Sequence, residues 1–338
     1  MQYRPLGRTG VQVSPLCLGT MMFGPWGNDD EADAIRVIHA ALDAGINFVD
    51  TADVYSSGRS EEITGKALKG RRDDVVLATK FFMPFDDDPN HRGGSRRWIM
   101  RAVENSLRRL GTDYLDLYQV HRPTPDVDIE ETLGALSDLV HQGKVRYLGS
   151  SSFAGSQIVE AQWASRDRGL ERFVTEQPPY SILVRGIEAD VLPTVQRHGM
   201  GALTYSPLGG GWLSGRWRKD AAGTPTSAAR PGVRFDMSLP ENQRKLDVVE
   251  ELALLAEANG MTLIELSIAW VIRHQGVTAA IVGPRTMEQL ESYLPAAEIE
   301  LSDEILDRID ELVAPGVTIH PGDHSYGAFE LQAANRRR

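Results

Sequence analysis

The chain has a single cysteine, Cys17, in 338 residues, so no disulfide can close within it and a reducing cytosol is the expected setting. Cys17 lies in the apolar run Leu16-Cys17-Leu18, which reads as a small buried hydrophobe rather than a nucleophile. Nowhere do about 18 apolar residues follow one another, so no membrane-spanning helix is expected. Met1 is followed by a polar, proline-containing stretch instead of a basic segment and an apolar run, so no signal peptide is expected. Positive charge is short as well. With 36 Lys and Arg against 47 Asp and Glu, the formal net charge is −11, which disfavours nonspecific binding to nucleic acid or an anionic membrane. The basic clusters at Arg92 to Arg97 and Arg336 to Arg338 read as solvated loop and tail charge. No cluster has zinc-ligand spacing such as H-E-x-x-H or C-x-x-C, and no metal site is expected.

What remains is the composition of a globular protein with a full core, 41% hydrophobic and 25% charged. The length allows two average domains or one large barrel. Tyr3 to Val13, around Gly7-Arg8-Thr9-Gly10, reads as a small hairpin. Apolar strand-like runs then alternate with amphipathic helices. The runs are Leu16–Thr20, Ile46–Asp50, Asp74–Thr79, Leu115–Val120, Val145–Gly149, Arg172–Thr175, Gly201–Tyr205 and Ala279–Val282. Each precedes a helical pattern, as Asp74–Thr79 precedes Ser95–Leu110 and Arg172–Thr175 precedes Ile187–Arg197. An extra helix is expected over Ser302–Leu312, followed by a tail over 315–338.

Strands apolar on both parities are buried on both faces, as in a parallel sheet covered by helices. Eight strand–helix pairs after a hairpin, without an internal linker, predict a closed (β/α)8 TIM barrel forming one domain over 1–338. A doubly wound sheet is the structural rival, but no strand is followed by the G-x-G-x-x-G of dinucleotide-binding versions.

In a barrel, ionisable residues at strand ends gather at one mouth. The stretch Gly45 to Tyr55, GINFVDTADVY, ends its apolar run at Asp50 and carries Asp53 and Tyr55 just beyond. Lys80 follows in ATKF and His121 in YQVH. Asp50 or Asp53 alone could simply cap a helix, and a lone Lys or His after a strand is commonly structural. Three successive strand ends carrying Asp and Tyr, Lys, and His are harder to explain that way. A free tyrosine, with a pKa near ~10, is a poor proton donor-acceptor at neutral pH; an adjacent lysine ammonium lowers it, and a carboxylate holds that lysine charged. A histidine beside the phenol can orient a carbonyl. The set moves a proton on oxygen while another species supplies electrons.

These residues, in FVDTADVY, ATKF and YQVHRP, resemble the aldo-keto reductase family, as do GTMMFG at 19–24, LGSSSF at 148–153, EQPPYS at 176–181 and YSPLGGGWLSGR at 205–216. The resemblance runs from about Leu6 to Leu312. It implies a (β/α)8 barrel that binds NADPH without a Rossmann motif and reduces a small aldehyde or ketone. Tyr55 would be the general acid, Lys80 and Asp50 would tune it, and His121 would orient the substrate; Asp53 reads as a supporting residue. Ser151 and Gln177 would hold the nicotinamide carboxamide, with Ser152 standing where the family usually has asparagine, and Tyr205 would stack on the ring. Thr20, Met21 and Asp50 would line the same cofactor.

Ser206, Pro207, Leu208 and Gly209, with Ser214 and Arg216, resemble the loop that covers the pyrophosphate; a glycine-rich loop there suits phosphate, although a surface turn would read alike. Gly283, Arg285 and Gln289 resemble the site of the adenosine 2′-phosphate, with Arg285 expected as its cation. Tyr293 stands where many relatives have asparagine. Trp26, Phe82, Trp212 and the loop after His121 are the expected substrate walls. Two other classes share parts of this pattern: a cofactor-sensing, channel-associated subunit of the same family, and a barrel lyase or isomerase using Lys80 as a Schiff-base amine.

Overall fold

A computed structural model describes residues 1–219 and 232–323, together with Ala333. The chain opens with the antiparallel pair β1 (Arg4–Pro5) and β2 (Gln12–Val13). The barrel elements follow in order: β3 (Leu16–Gly19), α1 (Glu31–Asp43), β4 (Phe48–Asp50), α2 (Arg59–Ala67), β5 (Val76–Phe81) and α3 (Arg96–Leu110). Next come β6 (Leu115–Val120), α4 (Ile129–His141), β7 (Val145–Ser151), α5 (Gly155–Arg168), β8 (Phe173–Gln177), α6 (Val191–Arg197) and β9 (Gly201–Tyr205). α7 (Pro240–Ala258), α8 (Leu263–Arg273), β10 (Ala279–Val282), α9 (Met287–Tyr293) and α10 (Asp303–Leu312) complete the series. β3 to β10 pair in parallel around a closed eight-stranded ring, with β10 meeting β3. The fold is the (β/α)8 barrel expected, with its N-terminal hairpin and additional helix α10.

The lumen is polar at the mouth and mostly apolar below it. Alternate residues of each strand point inward. Below the mouth these are Cys17, Phe48, Ala78, Leu117, Leu203, Ala279 and Ile281. Leu6 and Val13 of the hairpin join that cluster and close the bottom of the barrel. Each such large side chain contributes about 1.5–3 kcal/mol on burial. Gly7 lets the hairpin seat: its φ is +56°, and a Cβ there would lie 2.9 Å from the backbone nitrogen of Gly201. The other strand faces pack against the helices in a second, larger core.

One helix begins later than its periodicity suggests. Ile187 lies in a short 3-10 turn, Gly186–Ala189, and α6 starts only at Val191 because Asp190 takes φ −137°, ψ −62°. That break lets the Asp190 carboxylate accept the Gly155 N–H at 2.8 Å, at the start of α5. β5 runs two residues later than read from the sequence, Val76–Phe81 in place of Asp74–Thr79, so Lys80 is its penultimate residue. Residues 315–323 of the tail run back over the barrel. Ile319 N donates to Leu183 O at 3.1 Å and Arg185 N to Val317 O at 3.0 Å. The tail beyond Asp323, Ala333 apart, lies outside the described residues. No single helix among the described residues is long and apolar enough to cross a membrane.

Candidate active site

The closed ring converts strand order into a ring of side chains. Asp50 ends β4 facing the lumen, Lys80 faces it from β5, and His121 follows the last residue of β6. Lys80 is fully buried, and its ammonium has three acceptors: Asp50 Oδ1 at 2.5 Å, the Thr51 carbonyl at 2.8 Å and Tyr55 Oη at 3.2 Å. All three of its protons are therefore engaged. Burial pulls its pKa down, but Asp50 and Tyr55 outweigh that and hold it above the ordinary lysine value. Asp50 spends its other oxygen on two amides. Oδ2 accepts from Gln119 Nε2 at 3.0 Å and from Gln177 Nε2 at 2.9 Å.

Tyr55 reaches this group because the chain turns sharply after it. Ser56, Ser57 and Gly58 take φ of 48°, 55° and 90°, a left-handed run that two serines adopt only at a cost. The phenol ring sits edge-on to His121 at 5.8 Å and tilts against Trp26 at 6.2 Å. Its pKa departs from the simple expectation. Burial raises it and wins over Lys80, which pulls it down, so the phenol is a firmly protonated donor in this state. Burial, then Lys80 and Arg122, push His121 well below the usual imidazole range, leaving a neutral ring. Its Nδ1 is buried without a partner, so Nε2 is the nitrogen left to meet a ligand.

The other positive-φ residues outside glycine among those described are Phe82, Ser152 and Ser206. Each follows a strand of the same mouth. Backbone strain is thus confined to the rim that carries the ionisable groups, the usual mark of a functional site.

Behind Lys80 lies a buried acid pair. Glu61 accepts from Thr79 Oγ1 at 2.6 Å and from Arg109 Nε at 2.7 Å. Asp53, also buried, has neither carboxylate oxygen bonded; its N–H donates to the Lys80 carbonyl at 3.1 Å. Burial, reinforced by Glu61 and opposed by Arg109, raises its pKa well above the ordinary value, so it stands as a neutral acid.

The residues expected to hold a cofactor fall on the other half of the rim. Ser151 Oγ donates to the Gln177 carbonyl at 2.9 Å, which leaves its oxygen as an acceptor. Ser152, at φ 66°, receives Arg122 Nη1 at 2.9 Å and lies 3.3 Å from Tyr205 Oη. The Ser152–Phe153 turn is held by Glu176, whose carboxylate accepts the Phe153 N–H at 3.1 Å and whose pKa burial has pushed up to about 7. Ser206, Pro207 and Leu208 lead into Gly209, Gly210 and Gly211, all at positive φ, a path closed to larger residues. Ser214 Oγ is spent on the Gly211 carbonyl at 2.7 Å.

Burial raises the pKa of the Tyr293 phenol, and the charges of Arg285, after β10, and Arg216, from this loop, oppose it, so both guanidinium groups act on the same part of the rim. Neither has a carboxylate partner among the described residues. Arg216 therefore joins Arg285, which the sequence singled out alone. Gln289 serves Arg285 indirectly, its Oε1 accepting the Arg285 N–H at 2.8 Å. Gly283 is exposed at the start of the same loop. Thr20 is turned to structure: its hydroxyl lies 2.9 Å from Ser60 Oγ, tying β3 to α2, with Met21 half-buried in the turn that follows.

Of the expected substrate walls, Trp26 is 51% exposed over Tyr55. Phe82 and Arg122 line a cleft of about 200 Å³ that runs outward between the loops after β5 and β6. Trp212 does not belong there. It is fully buried, stacked 4.1 Å from Trp217 and 5.9 Å from Phe235, with Lys245 Nζ 4.5 Å above its ring. Its flat faces are worth more in that stack than at a wet mouth. Gln119 and Arg122, by contrast, were not singled out from the sequence.

Comparison with known proteins agrees with the geometry. The aldo/keto reductase family model matches residues 15–314. The uncharacterized oxidoreductase YrpG of Bacillus subtilis (strain 168) is 42% identical over 340 residues, covering 97% of this chain and 99% of that protein. The aldo-keto reductase YhdN of the same organism is 37% identical over 297 residues, 86% of this chain and 87% of that one. A probable voltage-gated potassium channel subunit beta of Arabidopsis thaliana is 35% identical over 324 residues, 93% and 97% of the two chains.

Proposed function

The chain belongs to the aldo/keto reductase family and is an oxidoreductase; from that premise we propose that it reduces aldehydes or ketones to alcohols with NADPH, Tyr55 acting as the general acid. The observation that carries this reading is the bonding of Lys80. Its ammonium donates to the phenol oxygen, so the phenol hydrogen is left to donate elsewhere, toward a substrate carbonyl. The same bonding argues against a Schiff-base role. An amine with three acceptors and a raised pKa stays protonated and is no nucleophile.

Bound NADPH supplies the hydride. As charge grows on the carbonyl oxygen, Tyr55 gives up its proton, and Lys80, at 3.2 Å, stabilises the phenolate left behind. Asp50 keeps Lys80 charged and aimed. The neutral His121 ring offers Nε2 to the same oxygen and fixes its direction. Trp26 shields the phenol from one side.

The rim suits the cofactor. Among the described residues Gln177 has its amide oxygen unengaged, Ser151 offers a lone pair, and Tyr205 presents its ring, as a carboxamide and nicotinamide require. The 206–216 loop, with its run of glycines, suits a pyrophosphate. Arg216 and Arg285, without a carboxylate partner among the described residues, support a phosphate-bearing adenosine and hence NADPH over NADH.

A second reading has one observation in its favour, the similarity to a potassium channel beta subunit: the protein would sense NADPH with little turnover. NADPH oxidation measured over a panel of aliphatic, aromatic and sugar-derived carbonyls decides between them. Turnover that Tyr55→Phe abolishes supports the reductase. NADPH binding without turnover on any member would end that reading.

A further inference from the structure

Among the polar side chains around Asp50, Gln119 has no role in the chemistry above, yet it is fully buried at the centre of the network. Its Nε2 donates to Asp50 Oδ2 at 3.0 Å, and its Oε1 accepts from Gln177 Nε2 at 3.1 Å. Gln177 Nε2 also donates to Asp50 Oδ2 at 2.9 Å.

The orientation of both amides follows from chemistry alone. A carboxylate only accepts, so each glutamine must turn its NH2 end to Asp50. Once Gln119 has done so, its carbonyl end is what faces Gln177, and it takes the second amide proton of that residue. Both protons of Gln177 are then used inside the barrel, and its Oε1, without a partner among the described residues, is left for a ligand. Rotating the Gln177 amide by half a turn would set its oxygen against the Asp50 carboxylate and the Gln119 carbonyl, three acceptors together, which a buried site does not tolerate.

We infer that Gln119 is a positioning residue: it fixes the Gln177 amide with its oxygen toward the mouth, and so makes the site select a ligand that brings an N–H donor there. Asp50 alone holds one Gln177 proton; the second partner is what stops the amide from swinging. The inference rests on the proposed reading that Gln177 meets the cofactor carboxamide, and its test separates the two.

NADPH and its reduced 3-acetylpyridine analogue, in which a methyl group replaces the carboxamide NH2, are titrated by fluorescence quenching against the wild-type chain and three variants. Wild type is expected to bind the analogue about tenfold more weakly, the worth of one hydrogen bond. Gln119→Met, close in shape but with no donor and only a weakly accepting sulfur, brings the two ligands within about twofold, because the Gln177 amide, held by Asp50 alone, is free to swing. Gln119→Asn, which keeps the amide but withdraws it by one methylene, behaves as Gln119→Met does and guards against a variant that fails to fold. Gln119→Glu keeps the tenfold preference, since a buried acid beside Asp50 stays protonated and donates to one neighbour while accepting from the other. If wild type binds both ligands alike, Gln177 does not read the carboxamide, and the inference falls with that contact. If wild type discriminates and Gln119→Met and Gln119→Asn do so equally, the cofactor reading stands and the role of Gln119 is overturned.

Discussion

The two halves of the barrel mouth are built on opposite plans. On the side of β4 to β6, charges are buried and bonded to one another before any ligand arrives: Lys80 has three acceptors and Asp50 three donors. Across the mouth, on the loops after β9 and β10, the two cations near Tyr293 have no carboxylate among the described residues. A site that performs chemistry gains from dipoles already oriented, because nothing then reorganises as charge develops. A site that holds and releases an anion gains from cations whose partner is the ligand itself. The contrast predicts that damage to one half spares the function of the other.

The largest expected effect is that of Tyr55→Phe, a loss of about a thousandfold or more in kcat, with the NADPH dissociation constant unchanged within about twofold. Equal losses in both, measured by stopped-flow and by fluorescence titration, would dissolve the division. Next is Trp212→Ala, which removes the centre of the aromatic stack beneath the 206–216 loop. It should cost about 3–5 kcal/mol in denaturant unfolding. Unfolding indistinguishable from wild type would return Trp212 to the pocket wall.

Arg285→Ala should weaken NADPH binding by about 1.5–3 kcal/mol and leave NADH nearly unaffected, with Arg216→Ala following the same pattern. Matched losses for the two cofactors would show that neither residue reads a 2′-phosphate. The smallest effect is on stability. Asp53 is neutral in the fold but ionises in the unfolded chain at a pH near ~4. Its raised folded pKa therefore destabilises the fold as pH rises above that point and has no effect below it. Thermal melts of wild type and Asp53→Asn should coincide at low pH and separate, in favour of the variant, as pH increases. Parallel curves would mean that Asp53 is already charged in the fold.

How much of this was legible beforehand follows from the geometry of a closed sheet. The βα rhythm specifies the barrel, and the barrel alone brings Asp50, Tyr55, Lys80 and His121 to one rim, so their convergence could be read from strand ends. Gln119 and Gln177 beside Asp50 needed one more rule. Side chains in a barrel layer come from alternate strands, and β4, β6 and β8 supply Asp50, Gln119 and Gln177 as one such layer. Lys80, from β5, belongs to the neighbouring set. Counting inward parity along YQVH would have drawn attention to Gln119. The burial of Trp212 had no such signal, because an aromatic in a rim loop reads the same whether it faces substrate or a second tryptophan. Nor could the raised Tyr55 pKa be foreseen, since it depends on how burial and Lys80 balance.

The hairpin that stops the bottom of the barrel has a consequence for proton traffic. From Leu6 and Val13 up through Phe48, Ala78, Leu117 and Leu203, the lumen beneath Lys80 is mostly hydrocarbon, and the isolated Thr175 hydroxyl within it, which has no hydrogen-bond partner, makes no chain of groups along which a proton could pass among the described residues. In the reaction proposed above, each turnover would take one proton from Tyr55, and its replacement would come through the mouth, the same opening by which a carbonyl compound would enter and its alcohol leave. Recharging the acid is therefore coupled to emptying the pocket. A product that lingers there would delay the next proton as well as the next substrate.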